Sequence, residues 1–508
     1  MFWLTLFALF LINCTFAIQT ELNMDTRNII GRKEQIDTLR RLYNSDKSEF
    51  LAIYGRRRVG KSYLIDEAFK DEVCFSVVGI YKKNDDDTED STYRRTQLKH
   101  FYRSLIDYGL NTSYKEPVDW MEAFDLLKKL LNDGKEGKKV IFLDELPWLS
   151  GTHSSELIEE LGYFWNSWAV KQRNILLIVC GSATSWMLNN VIRDYGGLHS
   201  RVTAKMYLGP FSLSECRQYF QKRGFLMSDY EIALSYMAIG GIPYYMDRMQ
   251  PDRTLNQNIN EFYFANESIH QEFQDVYTGL FQSSEKYIDV VKALGTKFYG
   301  MTRNELLERT GLKGGGTFTK MMDNLSACGI IHTYPRYGGQ RKEVVYQLYD
   351  FFSLFYLNFV RKNGVNRGWN AFQRSGEYDS WAGRTFEILC SCHIKKLQAI
   401  LRVNNSGGDY CWRGQAPNGK NVQIDMIIPA SDQRTDYICE MKFSENKYYI
   451  TNDYEQKLLD KIDAFRASKN HKPSHSLMMV LVTSMGLGES THNRVVNFTI
   501  SLEDLFKD

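Results

Sequence analysis

An α/β architecture built around a parallel sheet is predicted by three features of this sequence. Unbroken apolar runs, FLAIY from Phe50, VIFLD up to Asp144 and ILLIVC up to Cys180, have the length and composition of buried strands. Segments with helical spacing of apolar residues separate them. A glycine-framed loop, GRRRVGKS from Gly55 to Ser62, joins the first run to the first helical segment. Strands that are apolar throughout, rather than at every second residue, imply a sheet covered on both faces.

The chain has 508 residues, too many for one ordinary core, so two to four domains of about 100–200 residues are expected. Aromatic residues at 14% and charged residues at 24% suit packed globular domains and exclude a largely disordered chain. With 63 Lys and Arg against 61 Asp and Glu, the molecule as a whole has no field to draw it onto nucleic acid. A nucleic-acid site therefore has to be a local basic patch. The 9 cysteines form no CxxC pair, and Cys180 and Cys439 lie in strand-like apolar runs. That pattern points to structural thiols in a reducing cytoplasm rather than to disulfides or a zinc site.

The first 23 residues stand apart. Phe2 to Ile18 is nearly continuous apolar sequence with no Lys or Arg before it, whereas a secretory signal opens with a basic region. The preferred reading is a start codon assigned too early, with initiation at Met24, because MDTRNIIGRKEQIDTLRRLY reads as the complete entrance of a soluble domain. The protein is then cytoplasmic and has no membrane partner. The alternative is a membrane anchor through residues 2–18.

From Phe50, strand, glycine loop and helix follow in the order a phosphate-binding loop requires. GRRRVGKS fits GxxxxGK[ST]; a chain of this length meets that pattern by chance roughly one time in fifty, and the flanking strand and helix lower the odds further. Gly55 and Gly60 let backbone amides turn inward onto phosphate oxygens, Lys61 reaches the outer phosphates and Ser62 can ligate magnesium. Gly55, Arg56, Arg57, Arg58, Val59, Gly60, Lys61, Ser62 and Tyr63 are accordingly the expected ATP-binding segment. After an acidic surface loop around Lys82 to Asp90 and a helix near Trp120 to Leu131, VIFLDELPW delivers Asp144 to the sheet edge as a magnesium ligand. Glu145 beside it is placed to polarise the attacking water. The third strand ends in Gly181, Ser182 and Ala183, where a polar side chain such as Ser182 could touch the γ-phosphate or align the water. Arg201 is the candidate cation for transition-state charge, in cis or across the boundary of a homo-oligomer; a surface salt bridge is its bland alternative.

Beyond Pro210 the pattern turns helical, with a GGIP turn at Gly240 to Pro243. From Lys286 to Tyr349, helices (MTRNELLERTG, then FTKMMDNLSACG) precede a hairpin of IIHTY and EVVYQLYD, the order of a helix-turn-helix with a wing. Thr319 and Lys320 begin its recognition helix. Arg336, Arg341 and Lys342 flank Gly338 and Gly339 in a turn able to follow a phosphate backbone, which makes DNA the expected partner; packing or protein docking is the other use of such a module. A helical connector rich in Phe, Tyr and Trp leads to a last α/β segment from Trp381.

In that segment NVQIDMIIP carries Asp425 and YICEMKFS carries Glu440 and Lys442, which period two places on one face. Asp425 and Glu440, completed by Glu387 from the preceding helix, are candidate ligands for Mg²⁺, with Lys442 activating water for phosphodiester hydrolysis. An Asp followed by ExK occurs about once by chance in such a chain. Its weight comes from context, since both acids lie in apolar strands where an unpaired carboxylate is costly.

Together the entrance NIIGRKEQIDTL, YGRRRVGKS, the FLDE strand, CGSATSWM, the arginine before LGPFS, and GGIPYY resemble the prokaryotic AAA-type P-loop ATPases fused to a C-terminal domain of unknown function, DUF234-like, with a nuclease-like fold. The carboxylate arrangement resembles the PD-(D/E)xK nucleases, with Ile424-Asp425 in place of Pro-Asp. The resemblance covers the chain from about Asn28 and implies ATP and Mg²⁺ as cofactors. It implies an AAA-like P-loop domain over 24–210, a helical lid over 211–284, a winged helix over 285–350, a connector over 351–380 and a restriction-endonuclease-like α/β domain over 381–508. The expected function is an ATPase whose nucleotide state controls a DNA-acting module. The alternative is an ATP-switched DNA-binding or signalling scaffold with an inactive nuclease-like domain.

Overall fold

The computed structural model describes residues 26–507 apart from 82–89, 135, 152–154, 193–197, 199, 266, 282, 336, 338–343, 365–366, 374 and 405–409. The apolar extension, the acidic loop after Lys82 and the basic turn with Arg336, Arg341 and Lys342 therefore lie outside the described residues. Among those described, no helix is long and apolar enough to cross a membrane. The chain divides into two compact units, one of residues up to Gly55 and Gly60–Leu208, the other of Arg56–Val59 and Gly209–Asp508.

The first unit is built on five parallel strands: β1 (Glu49–Tyr54), β2 (Val73–Val78), β3 (Lys139–Asp144), β4 (Ile175–Gly181) and β5 (Ala204–Tyr207), in the order β2-β3-β4-β1-β5. β4 is wholly buried and β1 and β3 nearly so, as their unbroken apolar runs require. Inserting β4 between β1 and β3 matters for the site, because it sets the end of β4 between the loop after β1 and the acids after β3. Trp120–Asp133 is capped by Asp119, which accepts from the Glu122 amide at 2.8 Å, and it buries Trp120, Ala123, Phe124, Leu127 and Leu131 along one face. Trp120 and Phe124 pack on Phe101, and Phe124 stacks on Phe164 at 5.1 Å between centroids. Truncating either Phe101 or Phe124 to Ala would cost about 3–5 kcal/mol.

In the second unit the GGIP turn has a steric cause. Gly240 ends the helix Asp229–Ile239 at φ 78°, and a Cβ on Gly241, at φ 59°, would fall 2.7 Å from the Phe211 carbonyl oxygen. Further on, the helices Ser284–Leu294, Arg303–Thr310 and Gly316–Ala327 accompany a three-stranded antiparallel sheet, β6 (Met301–Thr302), β7 (Ile331–Pro335) and β8 (Val344–Leu348), ordered β6-β8-β7. The two-residue β6 was not expected from periodicity. An aromatic cluster follows, in which Phe355 and Phe359 meet Trp369 and Trp381 at 5.0–5.4 Å.

The chain ends in a mixed sheet of β9 (Tyr410–Gln415), β10 (Asn421–Ala430), β11 (Thr435–Lys442), β12 (Ser476–Thr483) and β13 (Phe498–Ser501), ordered β13-β12-β11-β10-β9. β9, β10 and β11 pair antiparallel, whereas β11, β12 and β13 pair parallel, with the helix Asn452–Ala467 as the crossover from β11 to β12. Rings from all four segments expected after residue 210 meet within this unit: Tyr263 stacks on Phe355 at 4.2 Å, Phe355 meets Trp381 at 5.4 Å, and Tyr337 meets Tyr410 at 5.4 Å.

Candidate functional site

The phosphate loop leaves β1 at Gly55. Its φ is 150°, and a Cβ there would fall 2.1 Å from the Leu208 carbonyl oxygen, so no other residue fits the exit. Gly60, at φ 87°, caps the helix Lys61–Ala68, whose first amides face the loop. Lys61 is buried and lies back across the loop, donating to the Gly55 carbonyl at 3.0 Å. Ser62 donates to Asp144 Oδ2 at 2.5 Å, and Asp144 Oδ1 accepts from the Glu145 amide at 2.9 Å. Glu145 takes a left-handed conformation, φ 46°, at the start of a short helix with Pro147. That bend turns its Oε2 onto Ser182, which gives both its amide (3.1 Å) and its hydroxyl (2.9 Å). Burial raises the Glu145 carboxyl above its ordinary range, against the opposing pull of Lys61 and Ser182. The Cys180 thiol beside Asp144 is pushed well up, chiefly by burial, and is an inert structural group.

The structure thus brings Gly55, Gly60, Lys61, Ser62, Asp144, Glu145 and Ser182 together. Ser182, expected at the γ-phosphate, holds Glu145. Tyr63 is exposed and its hydroxyl donates to the Asn28 carbonyl at 3.3 Å. Arg201 is exposed in the turn before β5 and makes no ion pair among the described residues.

Two of the loop arginines have carboxylate partners. Arg56–Val59 groups with the second unit. There the Arg56 guanidinium pairs with the buried carboxylate of Asp350, whose other oxygen accepts from the Ser353 amide (3.1 Å) and hydroxyl (2.5 Å). Arg58 pairs with Glu272 and lies over the Tyr244 ring at 4.3 Å, which supports its strained φ of 75°.

Missed from sequence were two glycines that let backbone close around Glu145. A Cβ on Gly79 would meet the Glu145 carbonyl oxygen at 2.5 Å, and one on Gly181 would meet Pro147 and Met187 at 2.8 Å. Asp66 was missed as well; burial, and then Asp144, raise its carboxyl. Its signal is one turn of helix beyond Ser62.

In the second unit β10 and β11 run antiparallel with Met426 opposite Cys439, so Asp425 falls opposite Glu440 one step on. Glu440 Oε1 accepts from Lys442 at 2.8 Å and from the Tyr454 hydroxyl; Oε2 accepts from Lys461 at 2.5 Å. Lys461 also lies 3.8 Å from Asp425 Oδ2, and Gln423 donates to Asp425 Oδ1 at 3.3 Å. Burial works against ionising Glu440, yet Lys461 and Lys442 hold its carboxyl down at about 2. Asp425 is pushed up to about 6, first by burial and then by Glu440, and Glu387 is raised well above the carboxylate range by burial, Asp425 and Glu440. A cavity lined by Tyr299, Gln347, Gln423, Glu387 and Asp425 opens beside them.

Among the described residues no group of three or more His, Cys, Asp or Glu is arranged to hold a metal ion. At the expected Mg²⁺ ligands Glu387, Asp425 and Glu440, both oxygens of Glu440 are bonded and the Lys461 ammonium lies within 4 Å of Glu440 and of Asp425. Lys461 and Tyr454 were missed. Their position, on the crossover helix after the ExK strand, was the available signal.

Strand order, loop and paired acids define a P-loop ATPase domain that binds nucleotide. Residues 29–249 match a family described as an ATPase domain predominantly from Archaea. An uncharacterized protein of Methanocaldococcus jannaschii is 23% identical over 428 residues, which cover 82% of this chain and 88% of that protein. Among solved structures, a Walker-type ATPase of Pyrococcus abyssi aligns with 66% of this chain and 97% of its own, at 17% identity and a TM-score of 0.45. The ORC2 protein of Aeropyrum pernix, solved in ADPNP and ADP complexes, aligns over 68% and 95%, at 15% identity and a TM-score of 0.37. The family match carries the assignment of the ATPase domain.

Proposed function

We propose that this protein is a Mg²⁺-dependent ATPase whose nucleotide state controls a DNA-acting C-terminal module. The observation that carries the ATPase half is the chain of contacts Ser62–Asp144–Glu145–Ser182. Ser62 Oγ and Asp144 Oδ2 are hard oxygen donors 2.5 Å apart, a set that suits Mg²⁺. When bound, the ion neutralises charge developing on the phosphates. Lys61 gives its ammonium to the outer phosphates in exchange for the Gly55 carbonyl. Ser182 fixes one oxygen of Glu145, which leaves Oε1 to orient the attacking water and receive its proton. Arg201, exposed and without an ion pair among the described residues, is the cation offered to the γ-phosphate in cis or from a second copy of the chain.

DNA as the target rests on the segment 285–350, read as a winged helix from its helix–strand–helix–helix–hairpin order, with Lys320 exposed at the start of the third helix. The segment 381–508 is read as the nuclease-like module. A second reading, that this module binds without cutting, is favoured by the two lysines on Glu440. Incubating the full chain with plasmid, linear and single-stranded DNA, with ATP and Mg²⁺ or Mn²⁺, separates them. Cleavage abolished by Glu440→Ala supports the first; ATP-dependent retention of DNA without cleavage supports the second. Neither binding nor cleavage in any nucleotide state defeats both.

A further inference from the structure

Lys461 occupies an unusual place for a lysine. It projects from the crossover helix Asn452–Ala467 into a buried acidic site, with its side chain 17% exposed. Its ammonium is 2.5 Å from Glu440 Oε2 and 3.8 Å from Asp425 Oδ2, so it bridges the two strand-borne carboxylates. Lys442 does not: it reaches Glu440 Oε1 alone, at 2.8 Å, and lies 4.8 Å from the Tyr454 ring. The two lysines are therefore not equivalent. One lies beside the site, and the other fills the position between the acids that a bound cation would take. The groups facing that position are Glu440, Asp425 with Gln423 behind it, Glu387, and the Tyr454 phenol.

We propose that Lys461 is a built-in cation that closes the carboxylate site, so that a divalent ion enters only when the Lys461 ammonium is displaced. A buried carboxylate demands a counter-charge, and a tethered ammonium supplies one without the entropy cost of capturing a free ion. With Lys461 in place, Glu440 spends both oxygens on hydrogen bonds and has none for a metal. With Lys461 withdrawn, Oε2 of Glu440 and the facing oxygen of Asp425 are two hard donors directed at one point. The inference deepens the reading of segment 381–508 as a nuclease-like module: it rests on that reading for the expectation that a cation belongs there, and it specifies what regulates the entry.

The test is Mn²⁺ binding by the full chain without nucleotide, followed by calorimetry and by the electron paramagnetic resonance of free Mn²⁺. Lys461→Met keeps the length and apolar stem of the side chain and removes its charge. It should bind one Mn²⁺ more tightly than the wild type by on the order of tenfold or more. Adding Glu440→Gln to Lys461→Met should abolish that ion. Lys442→Met, with Lys461 still in place, should leave Mn²⁺ binding at the wild-type level. If Lys461→Met does not fold, Lys461→Leu, which also removes both the charge and the donor, carries the same expectation. Wild-type affinity in a folded Lys461 variant overturns the proposal, as does a wild-type protein that already binds a Glu440-dependent ion equally well. Loss of DNA binding or cleavage in a variant that gains the ion would count against the module's reading, and not against Lys461.

Discussion

Asp144 and Glu440 end buried strands in two separate sheets, and their neighbours differ. Asp144 ends β3 beside a neutral hydroxyl, Ser62, and a backbone amide. Glu440, near the end of β11, meets two ammonium groups and a phenol. A carboxylate bonded by a hydroxyl and an amide gains hydrogen bonds from them but no counter-charge, whereas one flanked by ammonium groups gains both. A carboxylate on a buried strand is therefore bonded by a hydroxyl and an amide in one unit and built into an ionic cluster in the other. Asp350 belongs with the second kind, since Arg56 and Ser353 satisfy it.

The comparison breaks most visibly at Glu145. Glu145→Gln should preserve ATP binding while turnover falls by about 10²–10⁴-fold, read as steady-state phosphate release against fluorescent-nucleotide titration. A variant that hydrolyses at the wild-type rate would remove Glu145 from the reaction. Next in size, Asp350→Ala should lower stability by about 3–5 kcal/mol, because it leaves the buried Arg56 guanidinium without its carboxylate. Chemical denaturation measures this, and a loss under about 1 kcal/mol would show the pair to be screened by solvent. Lys61→Ala should weaken ATP binding at least about tenfold, the loss of a charged hydrogen bond to phosphate.

The smallest effect concerns pH. Asp425 has a folded-state value raised to about 6, so its contribution to stability is present below its ordinary range near 3.8 and is lost as pH rises through 6. Asp425→Asn should therefore raise the melting temperature relative to wild type at pH 7.5, with the gap narrowing toward pH 4. Glu440 has the opposite sign. Its depressed value, about 2, gives stability that is present above 4.5 and lost as pH falls through 2. Glu440→Gln should be destabilising at pH 7.5, and a stabilising result would contradict the ion-pair cluster.

What could be read from the sequence was whatever local order determines. FLAIY, GRRRVGKS and SYLIDEAFK are consecutive, so strand, loop and helix follow from composition and two glycines. MTRNELLERTG likewise marks the helix Arg303–Thr310. Partners distant along the chain could not be read. The contact between Arg56 and Asp350 spans 294 residues, and the bond from Lys461 to Glu440 depends on how the crossover helix lies against β11. Nothing in GRRRVGKS distinguishes an arginine aimed at phosphate from one anchored on a carboxylate. Likewise ExK placed Lys442 and Glu440 on one face but was silent on a second lysine, 21 residues beyond Glu440. The Ser182 assignment shows the intermediate case: its strand was legible, while its partner Glu145 followed from the placement of β4 beside β3.

The central claim, one open and one closed carboxylate site, is tested most directly by counting Mn²⁺ ions on the wild-type chain at saturating ATP. One ion per chain is expected, abolished by Asp144→Asn and untouched by Glu440→Gln. A second ion, or a single ion that disappears with Glu440→Gln, would contradict it.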